Sequence, residues 1–390
     1  MSEIKGPADL EREVLKQKLC TACGACLGLC PYFSSIQGRV VMTDSCNLPT
    51  GRCHTFCPRT RTNMKKLRSL FFPEEPFIPE IGPFRGLYMT RASDEKIRAS
   101  SQHGGSMTAL VELAMKEGFI DSAVLTRSEH GLNPAGVLVC KPEEVRQCLG
   151  TSFQIPPTLA VLNHTLKENK YKKIGVVGTP CKTLAVYKIQ SQLWEGQNQA
   201  NNIGMVFGLF CGWGIDWQGM EQMVRAKTSP EKLKHIDIPP SKYQMMELET
   251  VDARIEVPLN EIFPMIRPSC LFCADMTAEC SDLSVGGARS PESWDIDRGW
   301  NQILVRTSRG QELLEMARDK GVLEFREVEP ENLKKLKTAS GKKKKKAIQS
   351  IIEKTGDPNN LLYLDPCDPW LENFLPSRSG KDAGILEDNG

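Results

Sequence analysis

KKIGVVGTPCKTLAVYKIQSQL, residues 172–193, is the stretch whose reading decides the fold. Its first part, KKIGVVG (172–178), is a short continuous apolar run rich in β-branched residues, the pattern of a strand buried on both faces. GTPC (178–181) makes a turn, and CKTLAVYKIQSQL (181–193) then spaces its apolar residues as a helix does. A buried strand feeding a helix is half of a parallel crossover unit. The alternation continues on both sides. Upstream, SMTALVELAMKEG (106–118) reads as a helix, DSAVLTR (121–127) as a strand and PTLAVLNHTLKEN (157–169) as a helix. Downstream, NIGMVFGLF (202–210) reads as a strand. Residues 85–325 are therefore expected to form an α/β domain with a mostly parallel sheet.

Composition sets the outer limits. With 390 residues, two or three units are expected. A hydrophobic fraction of 40% and a charged fraction of 25% are ordinary for a globular protein, and a net charge of +2 gives no reason to expect nucleic acid. No apolar run reaches the ~20 residues of a membrane-spanning helix. The opening MSEIKGPADLEREVLKQKL reads as a charged amphipathic helix over 1–19 rather than a signal peptide, so a reducing cytoplasm is the expected compartment. Fifteen cysteines then stand out. In a chain without a secretory signal, clustered cysteines point to metal rather than disulfides.

Cys20, Cys23, Cys26 and Cys30, followed by Pro31, form C-x2-C-x2-C-x3-C-P, the bacterial ferredoxin run. Three thiolates at this pitch wrap one face of a cubane, and the fourth serves a second cluster. A second, degenerate run consists of Cys46, Cys53 and Cys57 before Pro58. By the crossed ligation of two-cluster ferredoxins, Cys57 completes the cluster of Cys20, Cys23 and Cys26, while Cys30 joins Cys46 and Cys53. Three thiolates imply either a 3Fe-4S centre or a 4Fe-4S centre with a ligand from elsewhere; the alternative is a single cluster with these thiols left over. Residues 1–70 are thus read as a ferredoxin-like iron–sulfur module, in which residues 20–60 hold too few apolar residues to form a core without metal. A Pro-rich linker, 71–84, joins it to the α/β domain.

Four further cysteines occupy strand ends and turns. They are Cys181 in VVGTPCK, Cys211 in LFCGWG, and Cys270 and Cys273 in PSCLFCAD. Neighbouring strand ends can bring them to one metal, and four thiolates suit zinc or a 4Fe-4S cluster equally. Cys280 is near enough in sequence to substitute, whereas Cys140, Cys148 and Cys367 carry no motif. Two turns suit a phosphate or a flavin: Gly104 and Gly105 before a helix bearing Ser106 and Thr108, and the GTPC turn itself. The polar tail, 326–390, contains GKKKKKA (341–347), read as a solvated flexible segment, with a docking patch for an acidic partner as the alternative.

The segments SQHGGSMTAL, GTSFQIPPT, VVGTPCKTLAVYK, GLFCGWG, CLFCADMTAECSDLSVGG and ILVRTSRGQELLEMA together resemble the family of coenzyme F420 hydrogenase/dehydrogenase beta subunits, in the right order over residues 85–325. The N-terminal cysteine runs resemble the ferredoxin module fused to some members. The resemblance implies a bound FAD beside a 4Fe-4S cluster on Cys181, Cys211, Cys270 and Cys273. Flavin contacts are implied from Gln102, His103, Gly104, Gly105, Ser106, Thr108, Ser152, Gln154, Gly178 and Thr179, with Asp275, Asp282 and Ser284 lining the site. His103 stands where an acidic or small residue is common, and Cys280 lies in a segment usually without cysteine.

The function expected on this basis is that of an anaerobic electron-transfer subunit. Hydride passes between coenzyme F420, the substrate, and FAD, and single electrons pass through two or three iron–sulfur clusters to or from a larger redox enzyme or ferredoxin. No side-chain acid or base is expected. Two rival readings keep the fold: a ferredoxin-dependent flavin reductase of a small organic molecule, and a wiring subunit that does not bind F420.

Overall fold

The computed structural model describes residues 5–129, 131–192, 198–239, 244–288 and 299–375. Its centre is an eight-stranded sheet. In chain order the strands are β1 (Gly86–Ala92), β2 (Ser122–Glu129), β3 (Leu132–Val139), β4 (Ile174–Gly178), β5 (Ile203–Leu209), β6 (Leu283–Gly287), β7 (Asn301–Val305) and β8 (Leu323–Arg326). In space they run β8-β1-β7-β6-β5-β4-β2-β3. The principal helices are α1 (Ser106–Lys116), α2 (Leu159–Glu168), α3 (Pro180–Gln190), α4 (Trp217–Lys227), α5 (Ser308–Asp319) and α6 (Pro330–Thr355).

The expectation of a mostly parallel sheet is corrected to a mixed one. Only the central pairs β2–β4, β4–β5 and β5–β6 are parallel; β6–β7, β7–β1, β1–β8 and β2–β3 are antiparallel. The physical reason is the connections. Strands β2, β4 and β5 are joined through α2 and α3, and a parallel pair needs such a crossover. At one edge β2 runs directly into β3, a hairpin and so an antiparallel pair; at the other, α5 carries the chain from β7 past β1 to β8, so β1 lies between them antiparallel to both. IGVVG of β4 is buried at four of its five positions, as its central place requires. One large apolar core lies between the sheet and helices α1 and α5, with Leu110, Leu113, Met205, Phe207, Ile303 and Leu313 at its middle. A second lies under α2 and α3, around Leu159, Leu162, Ile174, Val186 and Tyr187.

Between β5 and β6 the chain builds a small antiparallel sheet, Leu233–Asp237, Met245–Thr250 and Arg254–Pro258. It packs on α4 through Met220, Val224, Ile236, Met246 and Val257.

The N-terminal stretch holds a helical turn over 7–15, a hairpin (Phe33–Ile36 with Arg39–Met42) and two short helices, Arg52–Thr55 and Met64–Phe71. Among the described residues its buried apolar core contains Leu10, Val14, Leu19, Leu27, Phe33, Val40 and Cys53, with Leu15, Met42, Cys20, Cys26, Cys30 and Cys57 packed against it. So few apolar side chains give little folding energy on their own. The stretch is therefore fastened to the large sheet domain. Gly24, at φ +90°, lies so close to α2 that a Cβ would stand 2.5 Å from the Pro157 carbonyl oxygen. Phe71 and Phe72 pack on Tyr187 of α3 with ring centroids 4.5 and 5.5 Å apart.

The Pro-rich stretch is packed rather than extended. Ile81 is fully buried, and Phe77–Ile78 pairs with Gly82–Pro83. The buried Arg306 guanidinium donates to the carbonyls of Ile81 (2.7 Å), Pro83 (2.7 Å) and Thr277 (2.9 Å).

The reading of GKKKKKA as a flexible solvated segment is also corrected. Residues 330–355 form the 26-residue helix α6, opened by Pro330 and closed by Gly356 at φ +66°. Five consecutive residues sweep more than one helical turn, so a lysine run cannot stay on one face. Lys342, Lys345 and Lys346 are exposed, whereas Lys344 is buried beside Ala347, Ile348 and Ile351. Its ammonium pairs with the buried Glu279 and lies 4.3 Å from the Trp370 ring centroid.

Candidate redox-cofactor site

The eleven cysteines singled out by motif and strand-end position fall into three neighbourhoods. Burial raises the Cys23 thiol first, and the charges of Cys181, Cys57 and Cys20 push it further. Burial likewise holds Cys26 high, followed by Cys23, Cys20, Cys57 and Cys53. Cys53 is pushed up to about 11, mainly by burial, with Cys30 and Cys46 as its charged neighbours. Burial also raises Cys211, whose charged neighbours are Lys343, Cys270, Cys181 and Cys273. The thiols thus group as Cys20, Cys23, Cys26 and Cys57; as Cys30, Cys46 and Cys53; and as Cys181, Cys211, Cys270 and Cys273. Cys181 borders the first group, through Cys20 and Cys23, as well as its own.

Thiols buried side by side cannot all ionise unaided, because each charge is desolvated and repels the next. A polynuclear iron centre removes that penalty by sharing the charge, so the donor sets fit clusters. Among the described residues no three His, Cys, Asp or Glu side chains close on a single metal ion. Cluster thiolates sit on separate irons and lie farther apart than ligands of one ion. Main-chain amides already point at three of the sulfurs: Ala22 at Cys20 (3.4 Å), Arg59 at Cys57 (3.4 Å) and Gly214 at Cys270 (3.3 Å). Cys280 stands outside these sets. It is buried, and its charged neighbours are Asp275, Glu279, Arg306 and Arg68 rather than thiols.

Buried cations clamp the cysteine loops reciprocally. From the sheet domain, Lys188 donates to the carbonyl of Cys57 (2.7 Å) and Arg267 to that of Cys20 (3.4 Å). In return, Arg59 from the N-terminal stretch donates to the carbonyls of Ser269 (3.0 Å) and Phe272 (3.3 Å). Asn163 of α2 holds Ala25 and Leu27 through their carbonyls, at 3.0 and 2.7 Å. Burial depresses Lys188 to about 8, against the opposing pull of Cys57 and Cys23. Sequence reading missed these residues. Lys188 alone carried a signal, a cation within the otherwise apolar helical pattern CKTLAVYKIQ.

A cavity of about 560 Å³ opens beside the third thiol group, at the carboxyl ends of β4, β5 and β6. Of the residues expected to contact flavin, Gln102, His103, Gly105, Ser106, Thr108, Ser152, Gln154, Gly178 and Thr179 all line it. Gly105, at φ +75°, provides the left-handed turn that starts α1. Thr151 donates to the Gln102 carboxamide oxygen (2.7 Å), tying together the two loops on the rim. Gln154 is spent on structure, accepting from the Asn133 amide (3.0 Å) and donating to the Trp217 carbonyl (3.2 Å). Cys211 opens on the cavity, and Phe153, Phe210, Trp213 and Met276 give it apolar walls.

Four expected residues do not reach this cavity. Gly104 is wedged against Arg91 and Asn301, where a Cβ would stand 2.8 and 2.9 Å from their atoms. Asp282 is fully buried; it accepts from the Val206 amide (2.8 Å) and pairs with Arg309. Ser284 accepts from Arg306 (3.2 Å). Asp275 lines a separate space of about 70 Å³, together with Cys181, Cys273 and Cys280.

Among the cavity residues that were missed, two carry a cation or a thiol. Lys182 is buried, donates to the Thr158 hydroxyl (2.8 Å) and presents a cation to the space. Burial lowers its pKa, against the pull of Cys181, Cys23 and Cys211. A lysine in the first turn of a helix opposes the helix dipole, and that was its legible signal. Cys148, read as an ordinary thiol, also lines the wall.

Among the described residues no helix is long and apolar enough to cross a membrane.

Residues 87–163 match the N-terminal part, and residues 171–331 the C-terminal part, of the coenzyme F420 hydrogenase/dehydrogenase beta subunit. The coenzyme F420 hydrogenase subunit beta of Methanothermobacter thermautotrophicus is 26% identical over 277 residues, spanning 70% of this chain and 95% of its own. A subunit of the F(420)H(2) dehydrogenase of Methanosarcina mazei is 27% identical over 317 residues, or 79% of this chain and 84% of its own. A chain of the F420-reducing NiFe hydrogenase complex from Methanosarcina barkeri superposes with a TM-score of 0.65 at 26% identity, covering 73% of this chain and 97% of that one. Matched in sequence over both halves of its sheet domain, and in fold to a chain from such a complex, the protein belongs to the family of coenzyme F420 hydrogenase/dehydrogenase beta subunits.

Proposed function

We propose that this chain is an F420-linked electron-transfer oxidoreductase subunit that binds FAD in the 560 Å³ cavity and iron–sulfur clusters on its three thiol groups, and exchanges electrons with a larger redox partner or ferredoxin. The observation that carries the reading is Cys211, which belongs to the third thiol group and opens on the cavity wall. When bound, FAD supplies the exchange between hydride chemistry, to which a deazaflavin is limited, and the one-electron chemistry of clusters.

The chain's own residues position and insulate. The rim loops around Gln102 and Thr151 hold one another, so a flavin held there would meet a prearranged wall. Lys182, fixed by Thr158, places a positive charge where an anionic ring or phosphate is best stabilised. Phe153, Phe210 and Trp213 give that edge an apolar wall. From the cavity the thiol groups continue through Cys181 to Cys20 and Cys23, then through Cys26 to Cys53 and its neighbours Cys30 and Cys46. Within this reading residues 1–70 are the ferredoxin-like module, and the second cluster, on Cys30, Cys46 and Cys53, is a 3Fe-4S centre or draws a further ligand from elsewhere. Cys46 lies next to exposed residues 43–45 and 47–50, which suits exchange with a partner at that end.

The test is anaerobic. The purified chain is assayed for iron and flavin, then mixed with reduced F420 while flavin absorbance is followed. Bleaching with iron for three clusters supports the proposal. Full cofactors without a response to F420 would instead favour a ferredoxin-linked reductase or a wiring subunit.

A further inference from the structure

The family match ends at residue 331, and helix α6 lies almost wholly beyond it. One side chain of this helix reaches the third thiol group. The Lys343 ammonium donates to the main-chain carbonyls of Cys211 (2.6 Å) and Asp275 (2.8 Å). Both carbonyls belong to cysteine-bearing loops, one to Cys211 itself and the other two residues past Cys273. The next lysine does something different: Lys344 is neutralised by Glu279 and seated on Trp370. That ion pair anchors the helix and leaves Lys343 facing the thiols. The Cys273 sulfur itself points to the Asp275 carbonyl (3.5 Å), so the thiol and the lysine share that acceptor.

We propose that Lys343 is a positioning residue through which the C-terminal helix delivers a fixed positive charge to the core centre and raises its reduction potential. The inference rests on reading Cys181, Cys211, Cys270 and Cys273 as the ligands of one cluster. Reduction adds negative charge to such a centre, and a cation a few ångströms away in a poorly polarisable surrounding favours the reduced form. Cluster potentials respond to local charge, and partners behind the ligands orient them. The two hydrogen bonds also fix the loop of Cys211 relative to that of Cys273. Charge and orientation therefore come from one side chain, supplied by a segment outside the matched family region.

The experiment uses the full chain, prepared anaerobically as wild type, K343M, K343R and C270S. Iron is quantified, and the clusters are titrated potentiometrically with electron paramagnetic resonance detection. K343M is expected to retain iron and to shift the core electron equilibrium at least tenfold towards the oxidised form, about 59 mV for a one-electron couple. The other clusters should not move, and K343R should restore the wild-type midpoint. If K343M loses iron while K343R keeps it, the side chain acts by fastening the two loops, and the proposal of a raised potential is overturned. An unchanged midpoint in iron-replete K343M overturns the proposal, as does equal loss of iron from both lysine variants, which marks a purely structural role. C270S separates the underlying reading: if its iron equals the wild type's, the ligand assignment fails, whatever Lys343 does.

Discussion

Replacing Gly24 by alanine should loosen the first cysteine run from α2, and Gly28 provides its control. Both glycines have positive φ, +90° and +73°, and both face α2. A side chain at either costs roughly 1–2 kcal/mol in backbone strain. They differ in the space available. At Gly24 a Cβ would lie 2.5 Å from the Pro157 oxygen, 2.7 Å from its carbonyl carbon and 2.9 Å from the Ala160 nitrogen, all main-chain atoms. At Gly28 the nearest atoms are 3.6 and 3.8 Å away, ordinary contacts. The overlap adds about 1–3 kcal/mol, so the two variants should differ by ~2 kcal/mol, or roughly 30-fold in an opening equilibrium. The reporter is the Leu159 amide, which donates to the Cys23 carbonyl at 3.0 Å. Hydrogen exchange of the 157–165 segment, read by mass spectrometry, needs no assumption about metal. G24A should exchange there about 30-fold faster than G28A. Equal rates in the two variants would refute the idea that this contact holds the N-terminal stretch on the sheet domain.

Other outcomes can be checked more briefly. C270S should lose one cluster's share of iron while C280S keeps all of it; iron loss from C280S would place that thiol among the ligands. K182M should weaken flavin retention by roughly 10–100-fold, on the basis of about 1.5–3 kcal/mol for a hydrogen bond to a charged group, while leaving iron content unchanged. Flavin retained as in the wild type would remove Lys182 from the binding site. Burial raises the Glu112 carboxyl, but hydrogen bonds and charges from Arg146 and Lys116 more than offset this and leave it below its ordinary value of 4.5. Such a group stabilises fully above its unfolded value, and the contribution is lost as pH falls through the lowered one. E112Q should therefore be less stable near neutrality, by about 1 kcal/mol for a buried carboxylate whose partners Lys116 and Arg146 are themselves exposed, and should flatten the loss of thermal stability on acidification. An acid slope identical to the wild type's would count against that role.

Much of this protein is legible from the sequence wherever the information lies close along the chain. Cys20, Cys23 and Cys26 of the C-x2-C-x2-C-x3-C-P run lie in one neighbourhood because short spacers leave them little choice of position. The helices Ser106–Lys116, Leu159–Glu168 and Pro180–Gln190 are legible from local periodicity, and so is the buried strand Ile174–Gly178. Glycine turns before a helix mark the cavity wall, since only particular residues start a helix that way.

The tertiary structure decided what depends on distant pairing. The antiparallel edges of the sheet arise from which strands meet, and no single segment encodes that. Asp282 and Ser284 turn inward to Arg309 and Arg306 instead of reaching the cavity, because alternate faces of a strand and its flanks are assigned only when neighbours are in place. The lysine run looks solvated because composition averages over faces, whereas a helix separates them. Packing Ile348 and Ile351 inward carries Lys344 to Glu279 and sets Lys343 on the loops of the core thiols. A charge costs least where an opposite charge or a carbonyl awaits it, and those partners lie 65 to 132 residues away in sequence.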